Sequence, residues 1–148
     1  IFHEIFGHTP LLTDPRFAAF THAYGKAGAA ARKEDRPMLA RLYWFTVEFG
    51  LINRREEGLR TYGAGVVSSI GETTYALESP EPQRKPFDPL DALRTPYRID
   101  IYQPIYFVIE SFDTLFEVAQ MDLLGLIDQA RKMGMHPPAF PPKEAATA

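Results

Sequence analysis

Two histidines five residues apart, His3 and His8, lie in the opening run Ile1-Phe2-His3-Glu4-Ile5-Phe6-Gly7-His8-Thr9-Pro10, and Glu48 closes the run Leu42 to Val47, which is apolar apart from Thr46. Imidazole nitrogens and a carboxylate oxygen are donors for a divalent metal. Two of the first and one of the second on a single face of an ion leave several positions open, as in the non-haem Fe(II) oxygenases. The spacing of the histidines departs from H-E-x-x-H, in which both rings share a helix face around a zinc and the glutamate serves as base. In a regular α-helix residues five apart are separated by roughly 140°, against roughly 40° for residues four apart. Gly7 and Pro10 therefore predict that a helix ends near Gly7 and that the backbone turns His8 back toward His3. Glu48 is marked out by its surroundings, since an apolar run lies buried and an unpaired buried carboxylate is costly. Arg41 and Arg55, each seven residues away, are the basic residues nearest to helical spacing. A metal cation is the simplest counter-charge.

The elements that must position these groups follow from pattern and punctuation. Asp14-Pro15 predicts a helix start, and Phe17, Phe20 and Tyr24 give it an apolar face to about Lys33. Asp35 with Pro37 restarts a helix that carries Tyr43, Trp44 and Glu48 and stops at Gly50. Leu51 to Asn53 and Leu59 to Tyr62 predict a hairpin whose tip, Arg54 to Gly58, is solvated. Gly63 and Gly65 allow close backbone approach, and a helix is expected from about Val67 to Leu77, with Ser68 and Ser69 as alternative caps for a start near Gly71. The proline-rich stretch from Pro80 to Pro96 reads as a surface loop with one helical turn at Leu90 to Leu93, and Ile105 to Ile109 as a strand. A long helix is predicted from Asp113 to Met133, with Phe116, Ala119, Leu123 and Leu126 on one face and Gly134 as its stop. His22 and His136 are expected to be ordinary and without partners. The fold class is mostly α with minor β, an α+β arrangement.

Length and charge narrow the function. A chain of 148 residues buries one core. A net charge of −3 with no basic stripe argues against nucleic acid, and no apolar run reaches the ~20 residues that span a bilayer. The absence of cysteine excludes disulfides, thiolate metal ligands and a cysteine nucleophile.

Four stretches, I-F-H-E-I-F-G-H-T-P, L-Y-W-F-T-V-E-F-G-L, Y-G-A-G-V-V-S-S-I-G-E and Q-P-I-Y-F-V-I-E-S-F, resemble the pterin-dependent aromatic amino acid hydroxylases in order and spacing, from Ile1 to about Phe116. Within that family the likeness is to the compact prokaryotic phenylalanine hydroxylases. The resemblance implies that His3, His8 and Glu48 ligate Fe(II) and that Glu4 faces a tetrahydropterin through water. It makes Tyr43 a neighbour of the metal. It implies that Ser68 bonds the His3 ring, and that Trp44, Phe49, Gly65, Ser68, Tyr97 and Ile99 form the substrate site, Tyr97 on a mobile loop. An apolar residue at position 99 disfavours tyrosine as substrate. Core packing alone would also account for Tyr43, Trp44 and Phe49 on a buried helix.

The implied activity is hydroxylation of L-phenylalanine to tyrosine with O2 and a tetrahydropterin by a cytoplasmic monomer without the family's tetramerisation tail. Residues 1–136 would form the C-terminal part of one catalytic domain, and 137–148 a disordered Pro/Ala-rich tail. An arginine for the substrate carboxylate and a phenylalanine for the pterin are expected upstream of Ile1. Three alternatives stand beside this reading: a tryptophan hydroxylase of the same family, a His2Glu zinc hydrolase, and a half-domain that is inert by itself.

Overall fold

The computed structural model describes residues 1–142. Among the described residues seven α-helices accompany a small mixed sheet, as the α+β reading predicts: α1 (Pro15–Ala30), α2 (Arg36–Tyr43), α3 (Ala64–Val67), α4 (Ile70–Glu78), α5 (Pro89–Arg94), α6 (Phe112–Ala119) and α7 (Leu123–Met133). Several helices start where a side chain accepts one of the free N–H groups of the first turn. Asp14 caps α1 through Arg16, Ser69 caps α4 through Glu72, and Asp88 caps α5 through Asp91. Ser111 caps α6 through Asp113, and Asp122 caps α7 through Gly125.

The sheet runs β2-β1-β4-β3, built from β1 (Leu51–Arg54), β2 (Gly58–Thr61), β3 (Gln83–Pro86) and β4 (Ile105–Ile109). β1 and β2 form the predicted antiparallel hairpin, and Gly58 takes the positive φ, 73°, that its turn requires. On its other side β1 pairs in parallel with β4, Leu51 opposite Val108. The strand that follows Glu48 is thereby interior to the sheet. Its foundation is a core of Phe17 and Phe20 from α1, Leu39 and Leu42 from α2, Phe45, Phe107 and Ile109, with Leu115, Val118 and Ile127 from α6 and α7. A second cluster joins Phe49 and Leu51 to Val66, Ala76 and Tyr106.

Several expectations are corrected. The stretch from Pro80 to Pro96 contains strand β3 as well as α5. Gln83-Arg84-Lys85-Pro86 has no alternating apolar pattern, but as an edge strand it pairs with β4 on one side, and its proline sits at the last paired position, opposite Val108. The long C-terminal helix is two helices, because Asp122 caps a new start. The buried face is Leu115, Val118, Leu123, Ile127 and Ala130, whereas Phe116 is exposed. The helix expected over Val67 to Leu77 is likewise split into α3 and α4, with Ser69 as the cap of the second.

Asp35 does not cap α2. It is buried, and its carboxylate accepts from both Arg32 and Arg131, joining the start of α2 to α7. His136 is not alone either. Its Nε2 meets the Asp91 carboxylate, and its N–H donates to the Arg94 carbonyl. Residues 137–142 have no helix or strand but are tethered, Arg98 donating to the Pro141 carbonyl and lying over the Phe140 ring. The Ala-rich end, 143–148, lies outside the described residues. Among the described residues no helix is long and apolar enough to cross a membrane.

Candidate metal centre

His3 and His8 sit on a helical segment that does not stop at Gly7. It continues through His8 with a wider turn, in which the Thr9 N–H donates to the Glu4 carbonyl five residues back, at 3.0 Å. An i→i+5 bond takes one extra residue into the turn, so residues five apart come to lie over one another. The two rings meet because of this turn rather than by chain reversal. The same device recurs at Trp44–Glu48, where the Phe49 N–H donates to the Trp44 carbonyl at 2.8 Å. Both segments that carry the three donor residues are therefore π-helical.

Glycines let these segments close on each other. A Cβ on Gly7 would come 2.9 Å from the Ala64 Cβ, and one on Gly63 would fall 2.3 Å from the Glu48 carbonyl oxygen. The result is a tight cluster. His8 Nε2 is 2.9 Å from His3 Nε2, and the Glu48 oxygens lie 3.2 Å from His8 Nε2 and 3.6 Å from His3 Nε2. Two nitrogens bound roughly 2.1 Å from one ion lie roughly 3.0 Å apart at right angles and roughly 3.4 Å apart at the tetrahedral angle. The three separations span both values, so one divalent ion fits among the donors.

The second ring nitrogen of His3 fixes its tautomer. Ser68 Oγ donates to the Ala64 carbonyl at 2.6 Å, so its single proton is committed and it accepts from His3 Nδ1–H at 2.9 Å. His3 Nε2 is then a bare lone pair aimed at the cluster. Arg41 and Arg55 do not compensate Glu48, for Arg41 donates to the Leu93 carbonyl and Arg55 is exposed. A divalent cation would stabilise all three donors at once. The donor set fits Fe(II).

The profile of the biopterin-dependent aromatic amino acid hydroxylases matches residues 1–122. This chain belongs to that family. Among curated hydroxylases it is 58% identical over 146 residues to the phenylalanine-4-hydroxylase of Pseudomonas aeruginosa, covering 99% of this chain and 55% of that protein. It is 54% identical over 143 residues to the enzyme of Vibrio cholerae, covering 97% and 49%. Its structure matches that of the cold-active phenylalanine hydroxylase of Colwellia psychrerythraea 34H with a TM-score of 0.92 and 55% identity, over 99% of this chain and 57% of that one. The chain spans about half the length of the curated hydroxylases it matches.

Around His3, His8 and Glu48 most of the remaining sequence-predicted residues fall into two groups. Glu4, His8 and Tyr43 line a cavity of about 330 Å³ with Leu12, Phe17, Thr21 and Val47. Burial, followed by the charges of Glu48 and Glu4, raises the Tyr43 phenol above its ordinary pKa, so it stays protonated. Trp44, Phe49 and Tyr97 gather elsewhere. Trp44 stacks on Tyr97 at 4.4 Å and 13°, and its ring centroid is 4.4 Å from that of Phe49. Gly65 leaves room for the Phe49 ring, whose Cε2 would stand 2.7 Å from an added Cβ. Ile99 is outside this group and 77% exposed.

Sequence reasoning missed two polar residues beneath the aromatics, Gln103 and Glu72, both buried. Gln103 Oε1 accepts from the Trp44 indole N–H at 3.0 Å, and Glu72 accepts from the Gln103 N–H and the Tyr106 hydroxyl. Both lie in stretches that carry the family resemblance, Gln103 opening Q-P-I-Y-F-V-I-E-S-F and Glu72 closing Y-G-A-G-V-V-S-S-I-G-E, but neither gives a periodic signal of its role.

Proposed function

We propose that this chain provides the iron-binding part of a phenylalanine 4-monooxygenase, which converts L-phenylalanine to tyrosine with O2 and a tetrahydropterin. The observation that carries the reading is the convergence of His3, His8 and Glu48 in a chain more than half identical to curated phenylalanine-4-hydroxylases. Fe(II) held by these three residues would supply, together with the pterin, the activation of dioxygen.

The chain's own residues bind and orient. Ser68 holds His3 with Nε2 free for the ion. The cavity beside His8, with Glu4 and Tyr43 at its edge, suits a flat polar heterocycle such as the pterin. Trp44, Phe49 and Tyr97 offer aromatic surfaces to the phenylalanine ring, with Gly65 and Ser68 beneath the amino acid, and Ile99 borders the same site once it closes. Holding the ring against the oxidising centre is worth several powers of ten in rate. Residues 1–136 act in this reading as one part of a single catalytic domain.

The test is tyrosine formation from phenylalanine with Fe(II), tetrahydropterin and O2, omitting each in turn, in the unsubstituted protein and in Glu48→Ala. Formation that needs all three and vanishes in the variant is expected. Turnover retained by Glu48→Ala would overturn the assignment, and pterin oxidation stimulated by tryptophan instead of phenylalanine would change the substrate while keeping the centre.

A further inference from the structure

Gln103 is 1% exposed, yet it uses all of its side-chain hydrogens. Its Nε2 donates to the Arg98 carbonyl at 2.8 Å and to the Ile101 carbonyl at 3.0 Å, its Oε1 accepts from Trp44 Nε1 at 3.0 Å, and its backbone N–H donates to Glu72 at 3.0 Å. One side chain thus ties together the π-helical segment bearing Trp44 and the segment 98–101, while its own backbone is moored to α4. Tyr97, next to that segment, stacks on the same indole.

Trp44 is therefore held through its N–H by Gln103 and through its ring by Tyr97 and Phe49. Ring contacts alone leave an indole able to slide in its plane, whereas a hydrogen bond at one edge fixes its azimuth. We infer that Gln103 is a positioning residue for the aromatic substrate: it sets the orientation of Trp44 and, through the Arg98 and Ile101 carbonyls, the placement of the segment carrying Tyr97 and Ile99. This rests on the reading of Trp44 and Tyr97 as walls of the substrate-ring site.

Gln103→Met keeps the length and removes all three side-chain bonds. Loss of the bond that orients Trp44 is expected to raise KM for phenylalanine about fivefold to tenfold, with KM for the tetrahydropterin unchanged. In a Trp44→Phe background, which has no indole N–H to hold, the same substitution should raise KM much less. Trp44 is the only tryptophan in the sequence, so a changed emission maximum in Gln103→Met reads the loss of the indole bond directly.

An equal effect in both backgrounds, or a lowered melting temperature with both KM values intact, would overturn the positioning role. If Gln103→Met does not fold, protection of the Trp44 indole N–H from hydrogen exchange in the unsubstituted protein, and its increase on adding phenylalanine, carries the test. A fast-exchanging indole N–H, insensitive to phenylalanine, would refute the role. A failure of the functional reading shows itself separately, as absence of tyrosine from the unsubstituted protein.

Discussion

Gly7 lies against Ala64 with room for a hydrogen and nothing larger, since a Cβ on Gly7 would stand 2.9 Å from the Ala64 Cβ and 3.1 Å from the Ala64 carbonyl oxygen. That carbonyl also receives the Ser68 hydroxyl. The close approach of the histidine segment to α3 and the orientation of His3 therefore share an atom. Gly7→Ala forces the two segments apart, because the obstacle includes backbone. A destabilisation of about 1–3 kcal/mol is expected, together with weaker Fe(II) binding, checked by chemical denaturation and metal titration of the same variant.

Ser68→Ala removes the acceptor that holds His3 in its Nδ1–H tautomer. Loss of such an orienting partner lowers metal affinity about 10- to 100-fold. Competition with a chelator measures it, and unchanged affinity would show that packing alone orients the ring.

Acid should weaken the Asp14–Arg16–Asp113 cluster where the start of α1 meets α6. Arg16 donates to Asp14 through Nε and Nη2 and to Asp113 through Nη1, and Arg16 holds the Asp14 carboxyl at about 2, below its ordinary 3.8. A depressed folded-state pKa gives stability that is fully present above the ordinary value and is lost as pH falls from there through the folded value. Arg16→Met should thus lower the denaturation midpoint at pH 7, and the difference from the unsubstituted protein should close as pH falls from about 4 to about 2. A gap that is independent of pH would point to lost packing on Phe112.

The break between α6 and α7 rests on Asp122, which accepts from the Gly125 N–H at 3.0 Å. Asp122→Ala should cost about 1 kcal/mol, visible as a lower thermal midpoint without loss of iron binding.

The donor types and their convergence were legible in the sequence because metal ligands are few and buried acids are conspicuous. How they converge was not. A chain reversal at Gly7 and a wide helical turn bring His8 to His3 equally well, and periodicity assumes the 3.6-residue turn that both histidine and glutamate segments abandon. Helix starts at Asp14 and the stop at Gly134, with φ 76°, were readable from local chemistry. β3 was not, because an edge strand of Gln, Arg, Lys and Pro draws its stability from β4, more than twenty positions later in the chain. Asp122 carries no distinguishing signal either, since a cap and a surface acid look alike until the break is seen.

The wide turn at His3–His8 also says something about insertions and deletions. One residue more than an α-turn holds is what places the second histidine over the first. Removing Ile5 would leave His3-Glu4-Phe6-Gly7-His8, which reads H-E-x-x-H and would relax to an ordinary α-helix with its histidines four apart. A single codon thus separates this ligand pair from the zinc-peptidase spacing, and length variation inside the segment should be tolerated far less than substitution of its exposed side chains Ile5 and Phe6.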